Sequence, residues 1–461
     1  MTSHTNHRHR DRPYMNARRE RFWHGVGALA LFISGCAGHA DQTLMARTAL
    51  DAGRPRAALA ALNEQLGVED AKEVPPEVED DQILFVLDRA VVLQQLDNYK
   101  LSSRDLELAD KQIEVLDFSR GALDDVGKYM FSDDTGPYQA PPYEKLLINT
   151  VNMVNYLARG DLGGAKVEAR RFATMQKFVS EHEGHGKSLS GPGSYLSGFI
   201  FEKGHSAGEA LRYYDEALQY GSFASLAEPV RRLTAVDPYR TPRIERLLAE
   251  NPGGAPVSDD FGDVLVIVNY GRVPAKIAKR VPIGLALTIA SMYMSDASRS
   301  KANYLAAQGL VTWINYPTLG RPHGEYGVPE FVVDQRQLPL EGLLAVDDEA
   351  AKAWKDVEGA VVASAITRMI TRIVAGETTR RVAGGGLLGA VLSLGAQATL
   401  TAVDTPDTRN WSTLPARIAV GRVRVPPGKH VIRLRVRGVE KVQTVNVPKG
   451  GWSVIPLTVL R

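Results

Sequence analysis

The chain has 461 residues and a single cysteine, Cys36. Without a second cysteine it forms no internal disulfide, which agrees with a fold that forgoes disulfides even in an oxidising compartment. The first apolar run, Val26–Ile33, is shorter than the about 20 residues that a helix needs to span a bilayer. Its length instead fits the apolar region of a signal peptide, which is roughly 7–15 residues.

Catalytic motifs are absent or incomplete. The chain has no G-x-S-x-G nucleophile elbow, and His182-Glu183-Gly184-His185 is one residue short of H-E-x-x-H. Gly184–Ser188 ends like a phosphate-binding loop, but Glu181 stands where the pattern requires glycine. Gly384–Gly389 satisfies G-x-G-x-x-G, but it follows an arginine-rich helical stretch instead of a strand. We therefore expect a protein that is not an enzyme and that holds neither a metal nor a cofactor.

Charge is unevenly distributed. The chain has a net charge of +2, but residues 1–35 carry six arginines against two acids, so the remainder carries −2. That balance excludes a generally basic nucleic-acid-binding protein. Residues 409–461 hold eleven lysines and arginines against one acid, Glu440. An acidic helical part and a basic C-terminal part indicate two modules with different surfaces.

The segment that ends at Cys36 has the pattern of a bacterial lipoprotein signal. Arginines precede the apolar run, and the run ends in Ile33-Ser34-Gly35-Cys36. An aliphatic residue, two small residues and a cysteine resemble a lipobox, which implies cleavage before Cys36 and a covalent lipid on it. Each buried methylene contributes about 0.8 kcal/mol, so more than one acyl chain anchors stably. By the same resemblance, Ala37 implies the periplasmic face of the outer membrane. Whether the leader starts at Met1 or Met15 stays open.

Residues 41–218 show four pairs of helical patterns, each pair joined by a short polar or glycine turn. The turn of the second pair carries Asp97 in place of glycine. The third and fourth pairs place small residues where two helices meet, because a larger side chain would separate them. The turn and packing positions predicted from this spacing are Gly160, Ala165, Gly204, Ala210, Tyr214 and Ala217. The recurrence resembles tetratricopeptide repeats, with one residue inserted after Gly204; an unrelated helical bundle is the alternative.

After Pro238 the pattern changes to mixed structure. Val264–Val268 predicts a strand buried on both faces, and Ala275–Pro282 is expected to return antiparallel to it. A helix is predicted over Ser298–Trp313 and a short strand over Glu330–Val333.

The longest helical pattern is Asp347–Glu377, with its apolar residues on one face. Val382–Val403 follows without a single charge and contains a G-x-x-x-G pair, Gly385 and Gly389. We interpret this segment as a close-packed linker helix, and membrane insertion stays open as the alternative.

The C-terminal part is predicted to be β throughout, with Ile418–Val425 and His430–Val436 as a hairpin, followed by Val439–Val447 and Ser453–Leu460. Alternating arginines are predicted to share one basic sheet face: Arg422, Arg424, Arg433, Arg435 and Arg437. Such a face would attract lipid phosphates, an anionic glycolipid or an acidic partner. The alternative is that these arginines pair with acids elsewhere in the fold.

Five features follow one another along the chain: the lipobox, the repeats with Tyr195-Leu196-Ser197-Gly198, the run Val264–Val268, the helix around Ile366–Ile373, and Asp407-Thr408-Arg409-Asn410-Trp411-Ser412-Thr413-Leu414-Pro415. In this order they resemble a family of bacterial lipoproteins with tetratricopeptide repeats. Its genes lie beside those of curli-secretion-like and penicillin-binding-protein-activator-like lipoproteins. The resemblance implies location and a scaffolding role, and it supplies no chemistry.

These observations predict an α+β fold, with an N-terminal repeat-like α-solenoid of about four helix pairs and a C-terminal β-rich, sandwich-like module that contains an inserted long helix. The expected regions are 1–35 as signal, 36–236 as repeats, 237–346 as mixed, 347–403 as the long helix with the glycine-rich segment, and 404–461 as the basic β module.

The predicted function is that of a lipid-anchored outer-membrane protein facing the periplasm, which scaffolds or assembles an envelope complex. Its partners would be other envelope proteins, above all lipoproteins. Candidate aromatic anchors are Tyr195, Tyr213, Tyr214 and Tyr220, with core packing as the alternative for each. Two other functions stay open: an enzyme that remodels peptidoglycan or polysaccharide, or its direct activator, and a lipid- or lipopolysaccharide-binding module.

Overall fold

The computed structural model describes residues 38–75, 78, 81–118, 138, 140, 142–182, 187–253, 258–322, 326–382 and 406–461. Its contacts separate Met1–Ala37 from Gly38–Arg461, and every described residue belongs to the second of these units. The predicted lipid-anchor and lipobox residues Cys36, Ile33, Ser34 and Gly35 lie outside the described residues. Residues 183–186 and 383–405, which contain most of the rejected motifs and the glycine-rich segment, also lie outside them.

Helices precede sheets along the chain. The described helices of the first part are α1 (His39–Gln42), α2 (Leu44–Asp51), α3 (Pro55–Gln65), α4 (Gln82–Gln95), α5 (Tyr99–Phe118), α6 (Pro142–Ala158), α7 (Leu162–His182), α8 (Ser190–Lys203), α9 (Ala207–Leu218), α10 (Ala227–Val236) and α11 (Pro242–Glu250). Helices α2 to α9 pack as four successive pairs, which agrees with the four pairs of helical patterns in the sequence. The helical part continues through α11, beyond the predicted boundary at residue 236, because α11 packs on α9 and α10.

The four pairs share one turn geometry. Each turn has three residues, and its middle residue has a positive φ: Gly53 (66°), Asp97 (59°), Gly160 (71°) and His205 (60°). In every turn the middle amide donates to the carbonyl three residues back, and the next amide donates to the carbonyl five residues back. This is the hydrogen-bond pattern of a Schellman helix end. The turn is therefore repeated even where the sequence replaces its glycine.

The insertion predicted after Gly204 is wrong. His205, and not Gly204, adopts the left-handed conformation of the fourth turn. Counted from His205, Ala210 lies five residues on, as Ala165 does from Gly160. The residue five positions after the left-handed residue is fully buried in every pair. In the order of the pairs these residues are Ala58, Ser102, Ala165 and Ala210. Small side chains at this point allow the two helices of a pair to approach closely.

The fourth pair also depends on a glycine inside a helix. A Cβ added to Gly198 of α8 would lie 2.4 Å from the ring of Tyr214 on α9. Tyr214 and Ala217 are fully buried at this crossing. The Tyr214 ring therefore occupies the space that a side chain at position 198 would fill.

The described strands are β1 (Gly262–Tyr270), β2 (Lys276–Pro282), β3 (Trp313–Leu319), β4 (Glu330–Val333), β5 (Arg336–Leu338), β6 (Glu341–Ala345), β7 (Arg417–Val425), β8 (Gly428–Val436), β9 (Val439–Val447) and β10 (Trp452–Val459). They form an inner sheet in the order β10-β1-β7-β6, an outer sheet in the order β5-β4-β8-β9, and a separate pair β2-β3. The remaining helices are α12 (Ile283–Ala290), α13 (Asp296–Ala307) and α14 (Val346–Val382).

Strand β1 lies at the centre of the inner sheet. It pairs in parallel with β10 and antiparallel with β7. Leu265 and Ile267 belong to the core shared with the helices, whereas Val264, Val266 and Val268 belong to the core shared with the outer sheet. The prediction of a strand buried on both faces is confirmed, because the inner sheet is covered by helices on one side and by a second sheet on the other.

Two predicted pairings are wrong. Strand β2 pairs with β3 instead of returning along β1. Strand β7 pairs with β1 and β6 in the inner sheet, whereas β8 pairs with β4 and β9 in the outer sheet. Pro426 and Pro427 separate β7 from β8 and lack the N–H groups that would continue a ladder, so the chain passes from one sheet to the other.

The other predicted elements are present in the structure, and some of them begin or end at different residues. The Glu330–Val333 strand is β4 with the bounds predicted. The helix predicted over Ser298–Trp313 ends at Ala307, and Trp313 begins β3. The long helix extends over Val346–Val382, and its buried apolar face packs against α12 and β3. Strands from the predicted mixed region and from the predicted basic module pair within both larger sheets, so these two regions share their structure.

Candidate functional site

One face of the helix pairs is already covered by the chain itself. The first helices of the last three pairs, α4, α6 and α8, contact β10 or β6 of the inner sheet. Phe199 of α8 meets Trp452 of β10 edge to face, with ring centroids 5.9 Å apart. A partner that bound to the first-helix face would have to displace the inner sheet.

The segment Asp407–Leu414 strengthens this contact, and every one of its residues is buried. Ser412 Oγ donates to Asp88 Oδ2 of α4 at 2.8 Å, and the Thr413 amide donates to Asp88 Oδ1 at 2.8 Å. The Trp411 side chain is fully buried in the core shared by the helices and the inner sheet. The stretch that carried the family resemblance therefore joins the C-terminal half to the helices.

A group of ionisable side chains surrounds this segment. The Arg409 guanidinium donates two hydrogen bonds to the Asp407 carboxylate, at 2.9 and 3.0 Å, and one to Asp81 Oδ1 at 2.8 Å. Glu144 of α6 accepts the Tyr138 hydroxyl at 2.5 Å. These bonds account for polar groups that would otherwise be costly to bury.

Burial changes the proton affinities of this group. It raises the pKa of Asp88 to about 6 and that of Glu144 to about 7. Burial also lowers the pKa of His39 to about 3, and the His39 ring stacks on Phe85 at a centroid distance of 5.2 Å. Perturbed acids often mark functional sites. These groups, however, are buried against the chain's own segment, so the arrangement acts as a structural junction.

A second buried junction involves Arg422. Its guanidinium donates to Glu202 at 2.7 and 2.9 Å and to Asp263 at 2.8 Å, and it lies 3.0 Å from the Tyr214 hydroxyl. Lys203 also pairs with both acids. Burial alone would raise the pKa values of Glu202 and Asp263, but the charges of Arg422 and Lys203 outweigh it and hold both below their usual range.

The predicted single basic face is therefore corrected. Arg422 and Arg424 lie on the helix side of the inner sheet, where Arg424 pairs with Glu228 at 3.1 Å. Arg433 and Arg435 are exposed on the outer sheet. Arg437 lies in the β8–β9 turn with its guanidinium 5.0 Å from the centre of the Tyr326 ring. The alternative, in which the arginines pair with acids elsewhere in the fold, describes Arg422 and Arg424, whereas Arg433 only makes a long, exposed ion pair with Glu440 on the neighbouring strand.

The candidate tyrosine anchors differ in how deeply they are buried. Tyr195 and Tyr214 are fully buried and meet edge to face at 6.1 Å. Tyr213 stacks on Phe201 with ring centroids 5.3 Å apart. Core packing is therefore the role of these three rings, and only Tyr220 keeps an intermediate exposure.

A groove of about 490 Å³ lies between the second helices of the third and fourth pairs, α7 and α9, and over the start of α8. It is the candidate docking site, here called the α7–α9 groove. Its lining residues are Ala173, Gln176, Lys177, Ser180, Ser190, Arg212, Tyr213, Glu216, Gln219 and Tyr220. Arg212 and Glu216 of α9 and Gln219, which directly follows the helix, are spaced by four and three residues, so they lie on one helical face.

No known protein family and no curated protein matches this chain. The described residues contain no group of three His, Cys, Asp or Glu side chains placed to hold a metal ion. None of the described helices has both the length and the apolar character needed to cross a bilayer.

The α7–α9 groove contains both a carboxyl group and a positively charged side chain. Glu216 is partly buried, and burial raises its pKa, although hydrogen bonds with Gln176 and Ser194 oppose that rise. Arg212 is exposed on the same helix face. A groove with a cation, a carboxyl group of raised pKa and a half-exposed Tyr220 can hold a mixed polar and apolar peptide surface.

Sequence reasoning did not find the residues that hold the junctions together. Asp88 and Asp263 lie in apolar elements, and their partners Thr413 and Arg422 are far away in the chain. Glu144 lies in the first turn of α6 and accepts hydrogen bonds from nearby Tyr138 and from the distant Trp411 amide. A charged residue in an otherwise apolar stretch is the one signal that could have indicated them, since buried charges are almost always paired.

Proposed function

We propose that this protein is a lipid-anchored scaffold or assembly factor of the bacterial envelope, with its anchor on Cys36 and its folded part facing the periplasm from the outer membrane. The partners would be other envelope proteins, above all lipoproteins. The signal-like segment that ends at Cys36 supports the location. The open α7–α9 groove on the helix pairs is the observation that supports the binding role.

The helical part is proposed to be a tetratricopeptide-like α-solenoid. The support is the turn geometry, with a left-handed residue and the same two backbone hydrogen bonds in all four pairs. The buried small residue five positions after each turn adds to this support. Successive helix pairs that pack on their neighbours are typical of a solenoid.

In this proposal the partner binds to second helices. The first-helix face is covered by the inner sheet and by Asp407–Leu414, whereas α7 and α9 border an open groove. We expect the partner segment to present an acidic side chain to Arg212 beside an apolar side chain that packs on Tyr220.

Site-specific crosslinking tests this role. A photo-crosslinking amino acid at Gln219, which is exposed and lines the α7–α9 groove, should capture a defined envelope protein in intact cells. The same amino acid at Arg246, which is exposed on α11 outside the groove, serves as the control. Arg212→Glu and Tyr220→Ala should remove the crosslinked product from position 219. Equal capture from both positions, or none from 219, would contradict the docking site.

The anchor is tested separately. Mass spectrometry of the processed protein should find a lipid on Cys36, and Cys36→Ser should leave the leader attached. An unmodified Cys36 in a soluble product would remove the support for the location while leaving the crosslinking result to stand alone.

A further inference from the structure

A separate lobe of the molecule carries an exposed apolar stripe. The β2–β3 pair, α12, α13 and α14 surround a core of their own, distinct from the two cores at the inner sheet. Within this lobe, residues 281–295 contain no charged residue. Ile283, Ala286 and Ala290 of α12 face the core, whereas Leu285 is 50% exposed and Met292, just after the helix, is 90% exposed.

These exposed residues lie on one side. Leu285, Thr288 and Met292 follow each other at helical spacing of three and four residues, and all three are exposed. Contiguous exposed apolar surface with a polar rim marks a protein or membrane interaction site. Nothing in the described part of the chain buries this stripe, since its residues remain exposed in the folded unit.

An aromatic ring and a cation lie beside the start of α12. Pro282 pairs with Trp313, and the Ile283 amide donates to the Thr312 carbonyl at 3.0 Å, so Trp313 lies beside the start of α12. The Arg280 guanidinium is 5.3 Å from the centre of the Trp313 ring, which is 41% exposed.

A second aromatic and cation pair lies on α13. Lys301 Nζ is 5.5 Å from the centre of the Tyr304 ring, and that ring is 58% exposed. Residues 276–322 contain six lysines and arginines against the single acid Asp296, a net charge of +5. The lobe is therefore positive in a chain whose part beyond residue 35 is negative overall.

We infer that this lobe binds the surface of an anionic phospholipid bilayer, with Leu285 and Met292 inserted among the acyl chains near the headgroups. Exposed tryptophan and tyrosine prefer the boundary between headgroups and hydrocarbon. Lysine and arginine beside an apolar helix face attract anionic headgroups. The positive charge favours a lipid surface over a second copy of the lobe, because two copies would repel each other. This contact is independent of the lipid proposed on Cys36.

Vesicle binding tests the inference with residues 38–461, because they form one unit that holds every described helix and strand. This protein has no Cys36, so no lipid anchor contributes. We expect it to sediment with vesicles of equal parts phosphatidylethanolamine and phosphatidylglycerol at low salt, and to sediment weakly with vesicles of phosphatidylcholine alone. Added salt should weaken the binding because it screens the charges.

Leu285→Glu with Met292→Glu should reduce the binding by about tenfold or more, because two inserted side chains are lost. Leu44→Glu with Met45→Glu is a matched control, because Leu44 and Met45 are also exposed but lie on α2 outside the lobe. Circular dichroism checks that both variants fold.

Trp313 provides a second readout, since among the described tryptophans it is the one that is largely exposed. Its fluorescence should shift to shorter wavelength with anionic vesicles, and Trp313→Phe should abolish the shift.

Several results would overturn the inference. Binding that survives the Leu285 and Met292 substitutions, or that the α2 control reduces equally, would place the contact elsewhere. Absence of vesicle binding would exclude the lipid and point to a protein partner. If the protein formed a concentration-dependent dimer that the Leu285 and Met292 substitutions disrupted, the partner of the stripe would be a second copy of the chain and not a bilayer.

Discussion

Asp88 Oδ1 accepts hydrogen bonds from both the backbone amide and the hydroxyl of Thr413, at 2.8 and 2.9 Å, although the two residues are 325 positions apart. Asp88 belongs to the second helix pair, and Thr413 lies four residues before the start of the inner strand β7. This contact joins the helices to the sheets without any mobile surface side chain, because both residues are buried.

The first prediction concerns this contact. Thr413→Val keeps the shape of the side chain but removes the hydroxyl, so we expect the free energy of unfolding to fall by about 1–2 kcal/mol. Asp88→Ala should cost more, because it leaves the Ser412 and Thr413 donors without an acceptor. Urea denaturation of residues 38–461 measures both. Equal stability of wild type and Asp88→Ala would show that the junction contributes nothing.

The second prediction concerns pH. Burial raises the pKa of Glu144 from 4.5 to about 7, despite the hydrogen bond from Tyr138 and the charge of Lys276. Because the folded state holds this proton more tightly than the unfolded state, Glu144 makes the protein lose stability as the pH rises from 4.5 to about 7.

Glu144→Gln removes this dependence and keeps an acceptor for Tyr138. The unfolding free energy of the variant relative to wild type should therefore improve by on the order of 3 kcal/mol over that interval. Denaturation curves across the pH range test it. A difference between the two proteins that does not change with pH would contradict the raised pKa.

The third prediction concerns how much the buried and the exposed arginines of the C-terminal strands contribute to stability. Arg422→Met leaves the buried carboxylates of Glu202 and Asp263 with only part of their compensating charge, so it should destabilise the fold by about 3–5 kcal/mol. Arg433→Gln is the matched control, because Arg433 is exposed and its ion pair with Glu440 is long at 3.5 Å. Its effect should stay within about 0.5 kcal/mol. Similar losses in thermal stability for the two variants would refute this separation.

The fourth prediction concerns the fourth helix turn. His205 has a positive φ of 60°, which costs energy for any residue with a Cβ. His205→Gly should stabilise the protein by about 0.5–1 kcal/mol, whereas Gly160→Ala at the matching position should destabilise it by about 1 kcal/mol. Thermal melts compare the two. If Gly160→Ala had no effect, the left-handed turn would not be a requirement of the repeat.

Local patterns were sufficient for the elements themselves. Apolar residues at helical spacing predicted the four pairs, and the run Val264–Val268 predicted a strand covered on both sides. These inferences depend on neighbours within a few turns of one another, so they hold wherever the element packs. The fourth turn lies one residue later than the glycine pattern predicts, because His205 and not Gly204 adopts the left-handed conformation.

The sequence by itself determined the four helix pairs, strand β1 and the long helix, and which residues share a face of each, because that information lies within one element. The tertiary structure alone decided what each face meets. Arg422 and Arg433 show the same alternation along neighbouring strands, yet Arg422 points to buried acids and Arg433 to solvent. The physical reason is that β7 and β8 belong to different sheets, and the layer that covers a strand is supplied by residues more than 150 positions away.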